Sequence, residues 1–586
     1  MSHAADLAEG FAAQAATWAA RLGASAADVA AARAAARALV LETTEGHVCI
    51  TLTELAELGE LAARAQPTPA ADPALPQGAQ AWAGALLRSG VVGQGPEDAQ
   101  PLVLDDEGRL YLRRHHALER RLARRLVQAA TRPVALDEAQ RAKLRAVLDE
   151  LFPAPDPGGA GEPDRQRLAA ELALRSRLAV ISGGPGTGKT TTVVKLLAAL
   201  LALQPDARIA LAAPTGKAAA RLSQTIRERA AHWPEALRAR LPAQGSTVHR
   251  LLGAGPRGFT HGPGQLLPVD VLVVDEASML DLALATQLVQ AVPPDARLVL
   301  LGDKDQLAAV EAGAVFAELS TDPTVSAACC AELTRGYRFS AGSEVGQLAQ
   351  ALRAGEGAAA AAMARPPQDA LALACAGYAP YLQAVARAPT DAAAAFEAFE
   401  RFRVLCALRE GPWGVQGLNA ELDLALRQGL SQALGPRAGA AGFAPGSPWY
   451  AGRPVVILRN DALLQLHNGD VGLALPGEDG TLLVHVPQPG GGLRAVAPAR
   501  LPAHETAWAL TVHKAQGSEF DEVLLALPPH DSRVLTRELL YTAVTRARQR
   551  VQVCGAAPVI AAAATRRTTR RSGLQARLAE QARGAT

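Results

Sequence analysis

Short apolar runs alternate with longer helical stretches through the middle of this 586-residue chain. LAVIS (178–182), RIALAAP (208–214), VDVLVVDEAS (269–278) and ARLVLLGD (296–303) each give way to polar or turn-forming residues. Runs this short, apolar at successive positions and spaced by helix-length segments, predict parallel strands buried on both faces. The pattern is that of a doubly wound α/β domain, whose chemistry collects at the carboxyl ends of its strands.

The flanks read differently. Residues 1 to about 120 are alanine-rich and mostly helical in pattern, with a Pro-containing break at QPTPAADPALPQG (66–78). PLVLDDEGRLYLRRH (101–115) predicts two short strands around a DDEG turn, followed by a charged helix. FPAPDPGGAGEP (152–163) precedes the α/β rhythm. From about 336 helices come first and strands return late, at DEVLLALP (521–528) and RVQVCG (550–555). Between them, about 436–505 is Gly/Pro-rich with β-like runs, RPVVILRN (453–460) and GTLLVHVP (480–487). The length exceeds one hydrophobic core. The expected organisation is an accessory domain over 1–120, one α/β domain over 121–335, and a second over 336–586 with a small β module inserted at about 436–505.

Charge changes the picture little: 59 basic against 57 acidic residues leave a formal +2, so any nucleic-acid surface must be local. Only six of the 59 basic residues are lysine, yet Lys189, Lys217, Lys304 and Lys514 all fall within the motif blocks below. A site that needs a compact ammonium on a flexible stem resists arginine's planar fork. The six cysteines form no CxxC pair and sit among apolar residues, which predicts reduced, buried thiols. With no apolar leader at the start and no long uncharged apolar stretch, a soluble cytoplasmic protein without membrane contact is expected.

ISGGPGTGKTTT (181–192) fits G-x-x-x-x-G-K-[ST] directly after an apolar strand and before a good helix, TVVKLLAALLAL. Its backbone, from Gly183, Gly184, Pro185, Gly186, Thr187 and Gly188 into Thr190 and Thr191, would wrap the phosphates of ATP at a helix N-terminus. Lys189 would meet the β/γ oxygens, and Thr190 would help to hold Mg²⁺. Asp275, at the end of another strand, would hold the same ion through water, while Glu276 positions and deprotonates an attacking water. Hydrolysis is favoured over transfer to a substrate. Gln306, in GDKDQ, is placed to report the γ-phosphate, and Arg338 and Arg546 are candidate arginines for the transition state.

Ordered blocks extend this reading: PDRQRLAA (163–170), LAAPTGKAAARL (211–222), STVHRLLG (246–253), VDEASMLD (274–281), GDKDQLAAVEAGAVF (302–316), LTRGYRF (333–339), LCALREGPWGVQGLN (405–419), LTVHKAQGSEFDEV (510–523) and LTRELLYTAVTRAR (535–548). With the phosphate loop they resemble the RecD family of superfamily 1B DNA helicases over most of the chain. The resemblance implies two RecA-like domains forming an ATP cleft, a helical N-terminal partner-docking domain and an SH3-like β insert. Gln166 would read the adenine edge, Tyr337 would pack on the base, and Gly517 and Glu519 would lie near the phosphates and ribose. Single-stranded DNA would cross the tops of both domains along Pro214, Thr215, Lys217, Thr247, His249, Thr511, His513 and Lys514. His249 and His513 can equally be structural histidines.

The implied activity is 5′→3′ unwinding driven by ATP, at double-strand ends, in a heterotrimer with RecB and RecC. No metal-nuclease carboxylate cluster is evident, so nuclease chemistry would belong to the RecB partner. A helicase of the same type working alone is the alternative, disfavoured because the N-terminal helix–hairpin–helix repeats of that group are not evident. A catalytically silent scaffold is the third reading, against which every phosphate-site residue is present.

Overall fold

The computed structural model of the chain describes residues 3–65, 75–95, 97–153, 164–242, 244–336, 338–339, 342–437, 439, 443, 446–461, 463–488 and 491–584. Most of the two Pro-rich stretches at 66–78 and 152–163, and Tyr337, lie outside these residues.

The predicted apolar runs form strands Leu178–Gly183, Ile209–Ala213, Val271–Val274 and Arg297–Gly302, in one six-stranded sheet with Cys330–Leu333 and Ser246–Thr247. All neighbours are parallel, in the order 330–333, 178–183, 297–302, 271–274, 209–213, 246–247. Alternate side chains divide between two cores, as a period of two requires. Leu178, Val180, Leu272, Val274, Leu298 and Leu300 join one, while Ala179, Ile181, Val271, Val273, Val299 and Leu301 join the other. Helices Arg165–Arg175, Lys189–Leu203 and Gly216–Arg229 cover the second face.

The first face is covered from distant parts of the chain. Helix Arg113–Thr131 contributes Leu122, Ala123, Leu126 and Val127, and helix Leu574–Arg583 contributes Leu574 and Leu578. The expected boundary at 120 thus falls inside a helix whose apolar stripe belongs to this core. Likewise, the last residues do not stay with the second sheet: Arg577 meets Asp105 at 3.0 Å, and Val48 N donates to Arg571 O at 2.8 Å. Burying Leu574 and Leu578, one helical turn apart, against Arg113–Thr131 holds this end in place.

A second parallel sheet runs in the order Ala364–Arg365, Ala547–Cys554, Phe520–Ala526, Phe402–Cys406, Ala509–Thr511. Between its strands 402–406 and 509–511 the chain makes an antiparallel sheet of Arg453–Ile457, Val471–Pro476, Leu482–Pro487, Leu493–Val496 and His504–Thr506. Near the N-terminus, four short strands pair beneath helices around Leu39, Ile50, Trp82 and Leu86. The fold is α/β, with two parallel sheets and a largely helical N-terminal region.

Candidate functional site

Strand Leu178–Gly183 runs straight into the phosphate loop, and Gly188 precedes the first residue of helix Lys189–Leu203. Gly186 and Gly188 have φ of 79° and 87°, which other residues rarely adopt. A Cβ at Gly186 would lie 2.2 Å from the Cβ of Arg338, and one at Gly188 would lie 2.2 Å from Nε2 of Gln166. Thr187 Oγ1 ties the loop by donating to Gly184 O at 2.8 Å. The Lys189 ammonium donates to the carbonyls of Gly183 and Gly184. Gln166 reaches across the loop to Thr187 O at 3.3 Å.

At the end of strand Val271–Val274, Asp275 N donates to Ala212 O at 2.9 Å, and Asp275 Oδ1 accepts from Glu276 N at 2.9 Å. Glu276 has φ 52°, a left-handed conformation that costs a non-glycine residue about 1–3 kcal/mol. Desolvation in the cleft, with the neighbouring Glu276 charge, pushes the Asp275 carboxyl up to about 6, against the pull of Lys189.

These groups line a cavity of about 590 Å³, within the usual size of a ligand site. Its first wall carries Gln166, Pro185, Lys189, Thr190, Thr191, Asp275, Glu276 and Gln306. Arg338 and, from the side of the second sheet, Gly517, Glu519 and Arg546 close it. The two arginines are held differently. Arg546 is buried and donates to the carbonyls of Thr542 at 3.1 Å and Ser518 at 3.3 Å. Arg338 is ion-paired to Glu519 at 2.7 Å.

Glu519 also meets Arg221 at 2.6 Å and Arg548 at 3.2 Å. Burial alone would raise its carboxyl, but Arg221 and Arg338 outweigh burial and bring it down to about 2. Its direct partners are arginines, and with Gly517 it lines the cavity that holds the phosphate loop. Arg221, Thr225 and Arg229, on one face of helix Gly216–Arg229, also line the cavity and were missed from sequence. Their i, i+4, i+8 spacing was the available signal.

Segment 303–307 joins the cavity to the second sheet. Gln306 Nε2 donates to Asp303 Oδ2 at 3.1 Å, Leu307 N donates to Thr542 Oγ1 at 2.8 Å, and Gln516 Nε2 donates to Leu307 O at 2.9 Å.

The residues suggested for DNA fall into separate groups. Thr215 caps helix Gly216–Arg229, accepting from Ala218 N at 3.2 Å, directly after Pro214. Ala213 pairs with Thr247, which brings Thr247 alongside; Thr247 in turn caps helix Val248–Leu251. The His249 ring lies 5.9 Å from that of Phe259, in the hairpin of Ala254–Gly255 and Gly258–Phe259. On the second sheet, Thr511 Oγ1 accepts from Lys514 N at 3.2 Å, and Lys514 Nζ meets Glu505 at 2.7 Å. His513 is half-buried, and burial with the nearby Arg570 lowers its pKa. Lys217 departs from both groups: its ammonium lies 3.6 Å from Glu400 and 5.7 Å from the Phe520 ring centre. There it lines a separate crevice between helix Gly216–Arg229 and the second sheet.

A phosphate loop, a strand-end acid pair and arginines presented from a second parallel sheet define a two-lobed nucleoside triphosphatase of the helicase type. Residues 166–312 match the AAA domain family, and 506–554 match the UvrD-like helicase C-terminal domain. Residues 6–111 match the N-terminal domain of RecBCD enzyme subunit RecD. A RecBCD enzyme subunit RecD of Mycobacterium tuberculosis (strain ATCC 25618 / H37Rv) is 41% identical over 554 residues, which cover 91% of this chain and 88% of the relative. The subunit of the same name from Haemophilus influenzae is 34% identical over 70% of this chain and 72% of its own length. An ATP-dependent RecD2 DNA helicase of Deinococcus radiodurans is 36% identical over 73% of this chain but only 56% of its own length. The chain belongs to the RecD family of superfamily 1 helicases. Among the described residues no helix is long and apolar enough to cross a membrane.

Proposed function

We propose that the chain is an ATP-dependent DNA helicase that moves 5′→3′ on single-stranded DNA, as the motor subunit of a RecBCD-type complex with RecB and RecC at duplex ends. The observation that carries this reading is the cavity lined from both parallel sheets. Hydrolysis there changes the charge between two bodies that move against each other.

In this reading Lys189 neutralises the β- and γ-phosphate oxygens. The hard oxygen donors of Thr190 and Asp275, beside the phosphate loop, fit a magnesium ion held mainly through water. Such an ion supplies charge neutralisation on the phosphates. Glu276 orients a water whose oxygen attacks the γ-phosphorus. The bond to the β–γ bridging oxygen breaks, ADP leaves, and the water's proton passes to the Glu276 carboxylate. Arg546, rigidly held, and Arg338, held by an exchangeable ion pair, stabilise the charge on the transferring group. Gln306 senses that group and passes its loss to the second sheet through 303–307.

The proposed division of labour is an accessory, partner-docking region over about 1–120, motor domains over 121–335 and 336–586, and an SH3-like insert at about 436–505. The match of residues 6–111 to the RecD N-terminal domain supports a complex over a helicase working alone. DNA contacts are assigned to Pro214, Thr215, Thr247, His249, Thr511, His513 and Lys514, with Lys217 reaching DNA only after leaving Glu400. Nuclease chemistry is assigned to the partner.

The test is ATP hydrolysis by the purified chain with and without single-stranded DNA, followed by unwinding of duplexes with 5′ or 3′ overhangs. Stimulation by DNA with unwinding from the 5′ overhang supports the reading; stimulation without unwinding assigns unwinding to the assembled complex. Full hydrolysis by Lys189→Gln removes the phosphate loop from the mechanism.

A further inference from the structure

Arg221 stands on helix Gly216–Arg229, within the block read from sequence as part of the DNA path. The structure turns it instead into the nucleotide cavity, beside Lys189, Arg338 and Arg546. It reaches across to Glu519 at 2.6 Å, and Arg338 binds the same carboxylate at 2.7 Å. Two guanidinium groups on one carboxylate stand within a few ångströms of each other, so they face the same part of whatever fills the cavity. Arg221 borders both the cavity and the neighbouring crevice, whereas Arg548, which binds Glu519 at 3.2 Å, lines the crevice and not the cavity.

We propose that Arg221 is a further phosphate-binding residue of the ATP site, which takes the terminal phosphate together with Arg338. The proposal rests on the ATPase reading above. Glu519 is a single carboxylate shared by three arginines. A triphosphate offers several anionic oxygens, and the planar guanidinium fork suits paired phosphate oxygens. Entry of the nucleotide therefore draws Arg221 and Arg338 off Glu519, while Arg548 keeps that buried carboxylate charged and paired. Arg221 comes from the first sheet's side and Glu519 from the second, so the exchange also removes an ion pair between the two bodies each time ATP binds.

The experiment compares the full-length wild type with Arg221→Gln, Arg221→Lys and Arg548→Gln, measuring affinity for a non-hydrolysable ATP analogue and for ADP, with thermal melts as a fold control. Arg221→Gln is expected to weaken the triphosphate analogue roughly 10- to 100-fold and ADP far less, as for a lost hydrogen bond to a charged group. Arg221→Lys should recover part of the loss, and Arg548→Gln, which takes from Glu519 the partner left to it when ATP binds, should weaken the triphosphate analogue by no more than a few-fold, clearly less than Arg221→Gln. Equal losses for ATP analogue and ADP in Arg221→Gln, or matching behaviour of Arg221→Gln and Arg548→Gln, would overturn the proposal and leave Arg221 as a strut for Glu519. A wild type that binds neither nucleotide overturns the ATP-site reading itself, a result that no Arg221 variant can mimic.

Discussion

The Tyr541 hydroxyl donates to Asp303 Oδ2 at 3.1 Å, so a helix packed on the second sheet holds the carboxylate that follows a strand of the first. Gln306 Nε2 shares that oxygen at 3.1 Å. Burial raises the Asp303 carboxyl despite Lys189, and burial with the Asp303 charge raises the Tyr541 hydroxyl well above its ordinary value. The pair links the residue proposed to sense γ-phosphate to the opposite lobe. Tyr541→Phe removes the donor and keeps the ring. Stimulation of hydrolysis by single-stranded DNA should fall about ten-fold with little change in KM for ATP. Steady-state assays with and without DNA check this; unchanged stimulation would take Tyr541 out of the coupling.

Arg546 is fixed by two backbone carbonyls and needs no rearrangement to act. Arg546→Ala is therefore expected to lower kcat by roughly 10³-fold or more while ATP affinity changes little. Single-turnover hydrolysis beside equilibrium nucleotide binding separates the two quantities. A loss confined to affinity would make Arg546 a binding residue only.

Lys514 is held by Glu505, from the last strand of the antiparallel insert, at 2.7 Å. If Lys514 grips a DNA phosphate, Lys514→Ala should weaken single-strand binding and flatten the salt dependence by about 0.7 in log–log slope, the value for one phosphate contact. Glu505→Gln frees the ammonium and should tighten binding a few-fold at low salt. Titrations at several salt concentrations read both variants. Unchanged slopes in the two would place Lys514 off the DNA path.

A buried acid pair closes the seam between the N-terminal region, the first sheet and the chain's end. Glu119 accepts from Ser572 Oγ at 2.7 Å and Gly573 N at 2.9 Å. Burial pushes Glu119 up to about 7, and burial with the Glu119 charge pushes Glu318 up to about 8. Both values lie above the ordinary 4.5, so the folded chain holds protons that the unfolded chain releases. The stabilisation is complete below about pH 4.5 and is lost as pH rises through 7 to 8. Glu318→Gln keeps a neutral group there and should gain on the order of 1–2 kcal/mol relative to wild type at pH 8.5 compared with pH 5.5. Melting curves of the two proteins across that range test it, and parallel pH profiles would refute it.

Local pattern determined much of this protein. Leu178–Gly183 and Val271–Val274 were legible as strands because burial on both faces demands uninterrupted apolar runs. The phosphate loop was legible because its positive-φ glycines and following helix are properties of a dozen consecutive residues. Nothing local says which surfaces meet. The apolar stripe of Arg113–Thr131 marks a buried face without naming the first sheet as its cover, and Leu574 and Leu578 do not disclose that they return to that helix. Lys217 and Arg221 lie on the same helix, yet one pairs with Glu400 and the other with Glu519. Side-chain periodicity records how much of a face is buried and in which direction it points. Pairing between charges needs positions in space, which arise only when two sheets distant in sequence pack across a common cleft.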